Sequence, residues 1–127
     1  MTATDPFSYT ILRVVPSVER GERLNVGVVL FCRQRRFLDI RVALDQDRWR
    51  ALAPEVPSAE LTDHLKGLVR VAHGDPGAGG VAALDQSERF GWLAAPSSTT
   101  VQPSEVHTGL CEDPEQTLDA LFERLVV

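Results

Sequence analysis

Apolar residues fall in two rhythms along this chain. In the first third they gather in short β-branched runs, SYTILRVV (8–15) and LNVGVVLFC (24–32), each bounded by turn-forming residues. Runs of that length and composition predict strands. FLDIRVAL (37–44) sets Leu38, Ile40, Val42 and Leu44 against Phe37, Asp39, Arg41 and Ala43, which predicts a third strand with one buried face. The links between the three are too short for crossover helices, so the topology expected is an antiparallel meander.

Beyond residue 45 the rhythm lengthens. QDRWRALA (46–53) predicts a short helix stopped by Pro54 or Pro57. Ser58 opens a stronger helix to about His73, with Leu61, Leu65, Leu68, Val69 and Ala72 on one face and Gly74 at its stop. GDPGAGG (74–80) breaks both rhythms and is expected to be a flexible loop. SERFGWL (87–93) predicts a helical turn that buries Phe90 and Trp92, and STTVQ (98–102) a fourth, edge-like strand. From Asp113, with Pro114 at its first position, DPEQTLDALFERLVV predicts a terminal helix with Leu118, Leu121, Phe122 and Leu125 on one face. These elements make a single α+β domain over 1–127, an antiparallel sheet of three to four strands packed by helices on one face.

The hairpin between the first two strands carries the polar residues that least fit a core. If partner numbers sum to 40, Arg13 faces Gly27, and Tyr9, Ile11, Val29 and Phe31 join Leu38, Ile40, Val42 and Leu44 on the face under the helices. Arg13, Asn25 and Gly27 then share that apolar face, with Gly27 leaving room for the guanidinium. Two readings follow. Arg13 snorkels to the rim or pairs with Glu19 or Glu22, as a charge inside a core must find a partner. Alternatively Arg13, Asn25 and the loop residues Arg20 and Arg23 form a pocket for an anion, a task suited to the planar fork of arginine donors, with Glu22 as an acid or base. The opposite face holds Leu12, Val14, Val26, Val28, Leu30 and Cys32. The C-terminal helix, the connection of the fourth strand or a partner must cover it.

Length and composition set the frame for those readings. A chain of 127 residues with 43% hydrophobic and 24% charged residues is large enough for one core without disulfide or metal support. No apolar run approaches the roughly 20 residues of a membrane span, and no signal peptide is visible. Cys32 and Cys111 are expected to be reduced, in a cytoplasm. The net charge of −5 is uneven: residues 1–36 hold six Arg against three acids, a local +3, whereas residues 71–127 hold two Arg against nine acids, or −7. A +3 hairpin on an acidic chain makes nucleic acid an unlikely partner.

Complete catalytic constellations do not emerge. There is no phosphate-binding loop, dinucleotide fingerprint, HExxH or CxxC. His64 and His73 lie nine apart, which is not a shared-ligand spacing. His107 and Cys111 can be drawn as a nucleophile pair or a metal-ligand pair, but the further ligands or the orienting acid lack a recognisable place, and His107 is expected in a turn. Neither a cofactor nor a metal is expected.

The block Tyr9, Arg13, Pro16, Glu19-Arg20-Gly21-Glu22 and Asn25 to Phe31 resembles the N-terminal signature of an uncharacterised bacterial family, domain of unknown function 3037. Glu88-Arg89-Phe90, Trp92-Leu93, Pro96-Ser97-Ser98, Ser104, His107-Thr108-Gly109, Asp113-Pro114 and Leu121-Phe122 resemble its second half. The resemblance carries over no activity or catalytic residue. It implies, by neighbourhood alone, an association with HipA-like serine/threonine kinases. The expectation is therefore a non-enzymatic accessory or protein-interaction domain, a partner of such a kinase or of itself as a homodimer. Glu19, Arg20, Glu22, Arg23, Asn25, Arg13 and Gly27 are its candidate binding residues. The alternative is a small enzyme or binding protein for a phosphate- or carboxylate-bearing ligand or nucleic acid.

Overall fold

The computed structural model describes residues 3–97 and 100–127. Among these residues the chain is an α+β domain with five strands and four α-helices. β1 (Asp5–Val14), β2 (Leu24–Cys32) and β3 (Phe37–Val42) form the meander, followed by α1 (Gln46–Leu52), α2 (Ala59–Ala72) and α3 (Gln86–Ala94). β4 (Val101–Pro103) and β5 (His107–Cys111) then return to the sheet before α4 (Pro114–Leu125) closes the chain. All pairings are antiparallel, in the order β3-β2-β1, with β4 and β5 sharing the outer edge of β1.

Three of the helices start on an aspartate. Asp45, Asp85 and Asp113 accept hydrogen bonds from the first free backbone N–H groups of α1, α3 and α4, and Pro114 takes the first position of α4, where no donor is needed. Ser58 does not cap α2 in this way; its hydroxyl donates to Gln46 Oε1 on α1 instead.

Helices cover both faces of the sheet, where one covered face was expected. On one side Leu12, Val14, Val26, Val29, Leu38 and Ile40 pack against α1, α2 and α3, with Trp49, Leu61, Leu65 and Phe90 as the facing residues. On the other, Val28, Leu30, Cys32 and Cys111 pack against Leu118 and Leu121 of α4 and its C-cap Val126. Each fully buried leucine of that helix is worth about 1.5–3 kcal/mol, so the C-terminal helix is the cover that the apolar second face requires.

The register differs from the expected one. Partner numbers sum to 39 from Ser8↔Phe31 to Leu12↔Gly27, then slip to 38 at Arg13↔Asn25, which leaves Val26 as the extra residue of a bulge. A one-residue offset moves every side chain of β1 to the other face. Leu12 therefore joins Val29, while Tyr9 packs on the α4 side. Gly27 is separated from Arg13 as a result. A Cβ there would lie 3.0 Å from the Arg41 carbonyl oxygen, 3.0 Å from Val42 Cγ1 and 3.3 Å from Leu12, so Gly27 serves close strand approach rather than an arginine slot.

β5 occupies residues where a turn was expected around His107. Its sequence, HTGLC, has no apolar alternation, and Leu110 is largely exposed. Pairing with β1 is carried by the backbone, and Gly109 admits the Phe7 ring across the strand: a Cβ would meet ring carbons at 2.8 Å. Between β4 and β5, buried Ser104 carries the ladder over the break. Its Oγ accepts from Ile11 N at 2.9 Å, its carbonyl accepts from Thr10 Oγ1 at 2.8 Å, and its N–H donates to Ile11 O at 2.8 Å.

Two smaller expectations also change. Residues 74–80 were expected to be a loop without regular structure, yet 3-10 turns form at Pro76–Ala78 and Gly80–Ala83; Asp75 accepts from Gly77 N and pairs with Arg70. α3 buries Phe90 as expected, but Trp92 stays about half exposed. Of the proposed strand at 98–102, Ser98 and Thr99 lie outside the described residues, and β4 begins at Val101.

A cationic cleft at the end of the C-terminal helix

The bulge that separates Arg13 from Gly27 also sets Arg13 beside Asn25. Together with Arg23, just before β2, and Arg48 of α1, they line a cleft of roughly 360 Å³ against Leu125 and Val126 at the C-terminal end of α4. Three arginines thus line it, from a strand, a loop end and a helix, and Arg48 Nε also lies 3.7 Å from the Asp45 carboxylate.

Part of this arrangement serves the helix. The last carbonyls of an α-helix lack intrahelical donors, and its C-terminal end favours cations. Asn25 Nδ2 donates to Leu125 O at 3.0 Å, and Arg48 Nη1 donates to Val126 O at 3.4 Å. Those bonds account for Asn25 and Arg48. Arg13 and Arg23 make no such bond; their charges face the same helix end without a hydrogen-bond acceptor.

Arg13 is the informative residue. Its Nε is buried and has no hydrogen-bond acceptor. Burial pushes the guanidinium pKa down, Arg23 pushes it further in the same direction, and Glu105 on the β4–β5 connection works against both. Arg23 forms neither a hydrogen bond nor an ion pair among the described residues. The partners expected for Arg13 engage elsewhere or stand free. Glu22 pairs with Arg20 on the exposed hairpin, and Glu19 is exposed. Arg20 and Glu22 line a separate hollow beside Leu52 and Pro54.

Of the residues the sequence pointed to, the fold therefore gathers Arg13, Arg23 and Asn25. It sends Arg20 and Glu22 to another surface and Gly27 to the opposite face of the sheet. Arg48 was missed. It belongs to a helix 35 residues further along than Arg13, and on the sequence it reads only as a charge on a solvated face.

Other candidate chemistry disperses. The His107 ring lies tilted against Tyr9, with ring centroids 5.1 Å apart. Four residues along an extended strand carry Cys111 about 13 Å from it, so the drawn His107–Cys111 pair does not form. Cys111 lies next to Cys32 instead; both are free and buried, and burial first, then the neighbouring thiol, raise the Cys111 pKa, which is the opposite of an activated nucleophile. Among the described residues no group of three or more His, Cys, Asp or Glu is placed to hold a metal ion, and no helix is long and apolar enough to cross a membrane. Two apolar grooves beside α2 meet at His64 and Val101, but no cluster of charges lines them.

Against known families, residues 9–126 match the model described as "Protein of unknown function (DUF3037)". No curated protein and no solved structure matches the chain.

Proposed function

Because the chain belongs to the DUF3037 family over residues 9–126, which brings no activity with it, we propose from the cleft itself that this protein is a binding module for an anionic group, phosphate or carboxylate. The observation that carries the proposal is Arg13: a half-buried cation, with a buried donor lacking an acceptor, held next to a second cation. Like charges held side by side repel, and an anion in the cleft would offset that repulsion. Binding fits better than catalysis, since the polar side chains of the lining are three arginines and an asparagine. None of these exchanges a proton near neutral pH or acts as a nucleophile.

The accessory reading, with a HipA-like kinase or a second copy as partner, drew on a half-apolar sheet face. α4 occupies that face. What supports it now is isolated exposure, such as Leu110 on outer strand β5 and Trp92 on α3, and single exposed apolar residues are ordinary on a surface.

The test is a thermal-shift titration with inorganic phosphate. At a concentration 100 times the dissociation constant, binding adds about 2.7 kcal/mol of stability. Arg23→Met should abolish the shift while the unliganded melting temperature stays close to wild type, because Arg23 has no intramolecular partner to lose. Absence of any shift with phosphate, sulfate or acetate would overturn the proposal.

A further inference from the structure

We infer that two copies of this chain associate through the outer edge of β5, pairing antiparallel about a two-fold axis at Thr108. The inference is independent of the anion-binding reading and concerns a different surface.

Exposure alone is ordinary on a surface; the direction of the backbone is what singles out this edge. β5 pairs with β1 and, among the described residues, with no other strand. Pro6 stands opposite Leu110, and a proline has no N–H, so these two cannot exchange backbone hydrogen bonds. The alternate pairs Tyr9↔His107, Phe7↔Gly109 and Asp5↔Cys111 therefore carry the ladder. Ile11 keeps the same phase, since its N–H and C=O both turn to Ser104 on this side of β1. Thr108 and Leu110 are left with N–H and C=O groups that point away from β1. Their side chains are exposed too, as is that of Val106. These three alternate with Cys111, which packs on the α4 side, so α1, α2 and α3 leave this part of the other face uncovered.

Free edges are usually guarded by lysine, proline, a bulge or a covering element. Residues 104–112, SEVHTGLCE, hold no Lys, Arg or Pro, and the register of β5 on β1 is continuous. Its only acids, Glu105 and Glu112, stand near the two ends.

The sequence also complements itself. Outward groups must meet outward groups, so partner numbers across the new pairing sum to an even number. A sum of 216 sets Val106 against the partner's Leu110, twice by symmetry, and Thr108 against the partner's Thr108. Side chains that are 46% and 70% exposed then cover each other on one face. Glu105 falls opposite the partner's Cys111, and Glu112 opposite the partner's Ser104. A sum of 218 would set Glu105 against the partner's Asp113 and Val106 against the partner's Glu112. A sum of 214 would set Leu110 against the partner's Ser104. The register centred on Thr108 thus joins the apolar residues and keeps the acids apart, and its two-fold symmetry closes the assembly at a dimer. Two short strands make a small interface, in the class below about 1,200 Å² that is weak and transient.

The experiment is sedimentation velocity of the full chain under reducing conditions across a wide range of concentration. The wild-type protein should move from the monomer mass towards twice that mass as concentration rises. Thr108→Pro removes an outward N–H and no bond to β1, so it should stay monomeric with an unchanged melting temperature. Leu110→Lys, a change at an exposed side chain, should stay monomeric as well. Mixing Val106→Glu with Leu110→Lys reads the register: each alone should be monomeric, and the mixture should form a heterodimer because the new acid faces the new base. A wild-type protein that is monomeric at every concentration overturns the inference and leaves the edge to a strand of a different protein. A dimer that persists in Thr108→Pro and Leu110→Lys overturns it too, by placing the interface elsewhere. Failure of the mixture to associate overturns the axis at Thr108.

Discussion

Two half-buried arginines lie along the same helix and live in opposite company. Arg41 of β3 sits by the acidic first half of α4. It donates to Asp39 at 2.7 Å and to Asp119 at 3.1 Å, with Glu115 at 3.8 Å. Asp39 also accepts from Ile40 N and faces His73 Nε2 of the α2 C-cap, both at 2.8 Å. Arg13 of β1 sits by the other end of α4, with Arg23 and Arg48 for neighbours. Burial works against both guanidiniums, yet the acids raise the Arg41 pKa, whereas Arg13 ends lowered. The first arrangement ties β3, α2 and α4 together. In the second, Asn25 and Arg48 tie β2 and α1 to the end of α4, while the side chains of Arg13 and Arg23 make no bond among the described residues.

The largest effect should come from breaking the paired end. Arg41→Met leaves Asp39, largely out of solvent, with only His73 and one backbone donor, and a loss of about 1–3 kcal/mol is expected. The pH dependence follows from Asp39. Burial pushes its carboxyl up, but the bonds from Arg41, Ile40 N and His73 outweigh burial and hold it below the usual carboxylate range. A depressed folded-state pKa contributes stability above the unfolded value of about 3.9, and that contribution is lost as pH falls through the folded value. The deficit of Arg41→Met in urea denaturation should therefore be full at neutral pH and shrink below about pH 4. An undiminished deficit at acid pH would show that Arg41 acts by packing alone.

A change of the opposite sign is expected at the other end. Charge on a basic group whose pKa is depressed on folding weighs against the folded state at every pH where it stays protonated. Arg13→Met keeps the length of the side chain and removes that charge together with the orphaned Nε. Unliganded stability should rise or hold, by less than about 1 kcal/mol, because the charge removed is only partly desolvated and Glu105 offsets part of its cost. Anion binding should vanish in the same variant. Destabilisation beyond about 1 kcal/mol would mean that Arg13 organises the hairpin after all, and the contrast between the two arginines would collapse.

How much of this contrast could be read in advance depended on which pairings were local. β2, β3, α2 and α4 announced themselves, because a single periodic stripe or a cap such as Asp113-Pro114 is a local signal. Arg13 and Asn25 stood out for the same reason, as polar residues in apolar strands. Their setting did not. The bulge at Val26 has no marker apart from Gly27, one residue further on, and a one-residue offset sufficed to move Arg13 from the α2 side of the sheet to the α4 side. β5 was invisible because its pairing with β1 depends on the backbone and on Gly109 under Phe7, not on an apolar pattern. Arg48 was invisible because only tertiary structure brings α1 to the end of α4.

The smallest effect sharpens the comparison most, since it is one of sign. Salt weakens attraction and repulsion alike: the screening length falls from about 30 Å at 0.01 M to about 3 Å at 1 M. In the wild-type protein the paired and unpaired ends oppose each other, so their salt responses partly cancel. Removing one end at a time exposes the other. Arg13→Met retains the Arg41 ion pairs and should lose a few tenths of a kcal/mol as sodium chloride is raised, the scale expected of partly exposed pairs. Arg41→Met retains the repulsion between Arg13 and Arg23 and should gain by a similar amount. Repeating the series with sulfate separates screening from occupancy: at matched ionic strength a divalent anion in the cleft adds stability to Arg41→Met and none to Arg13→Met. Salt slopes of the same sign in both variants would mean that Arg13 and Arg23 are too well solvated to repel one another, and the cleft would lose its claim to hold unsatisfied charge.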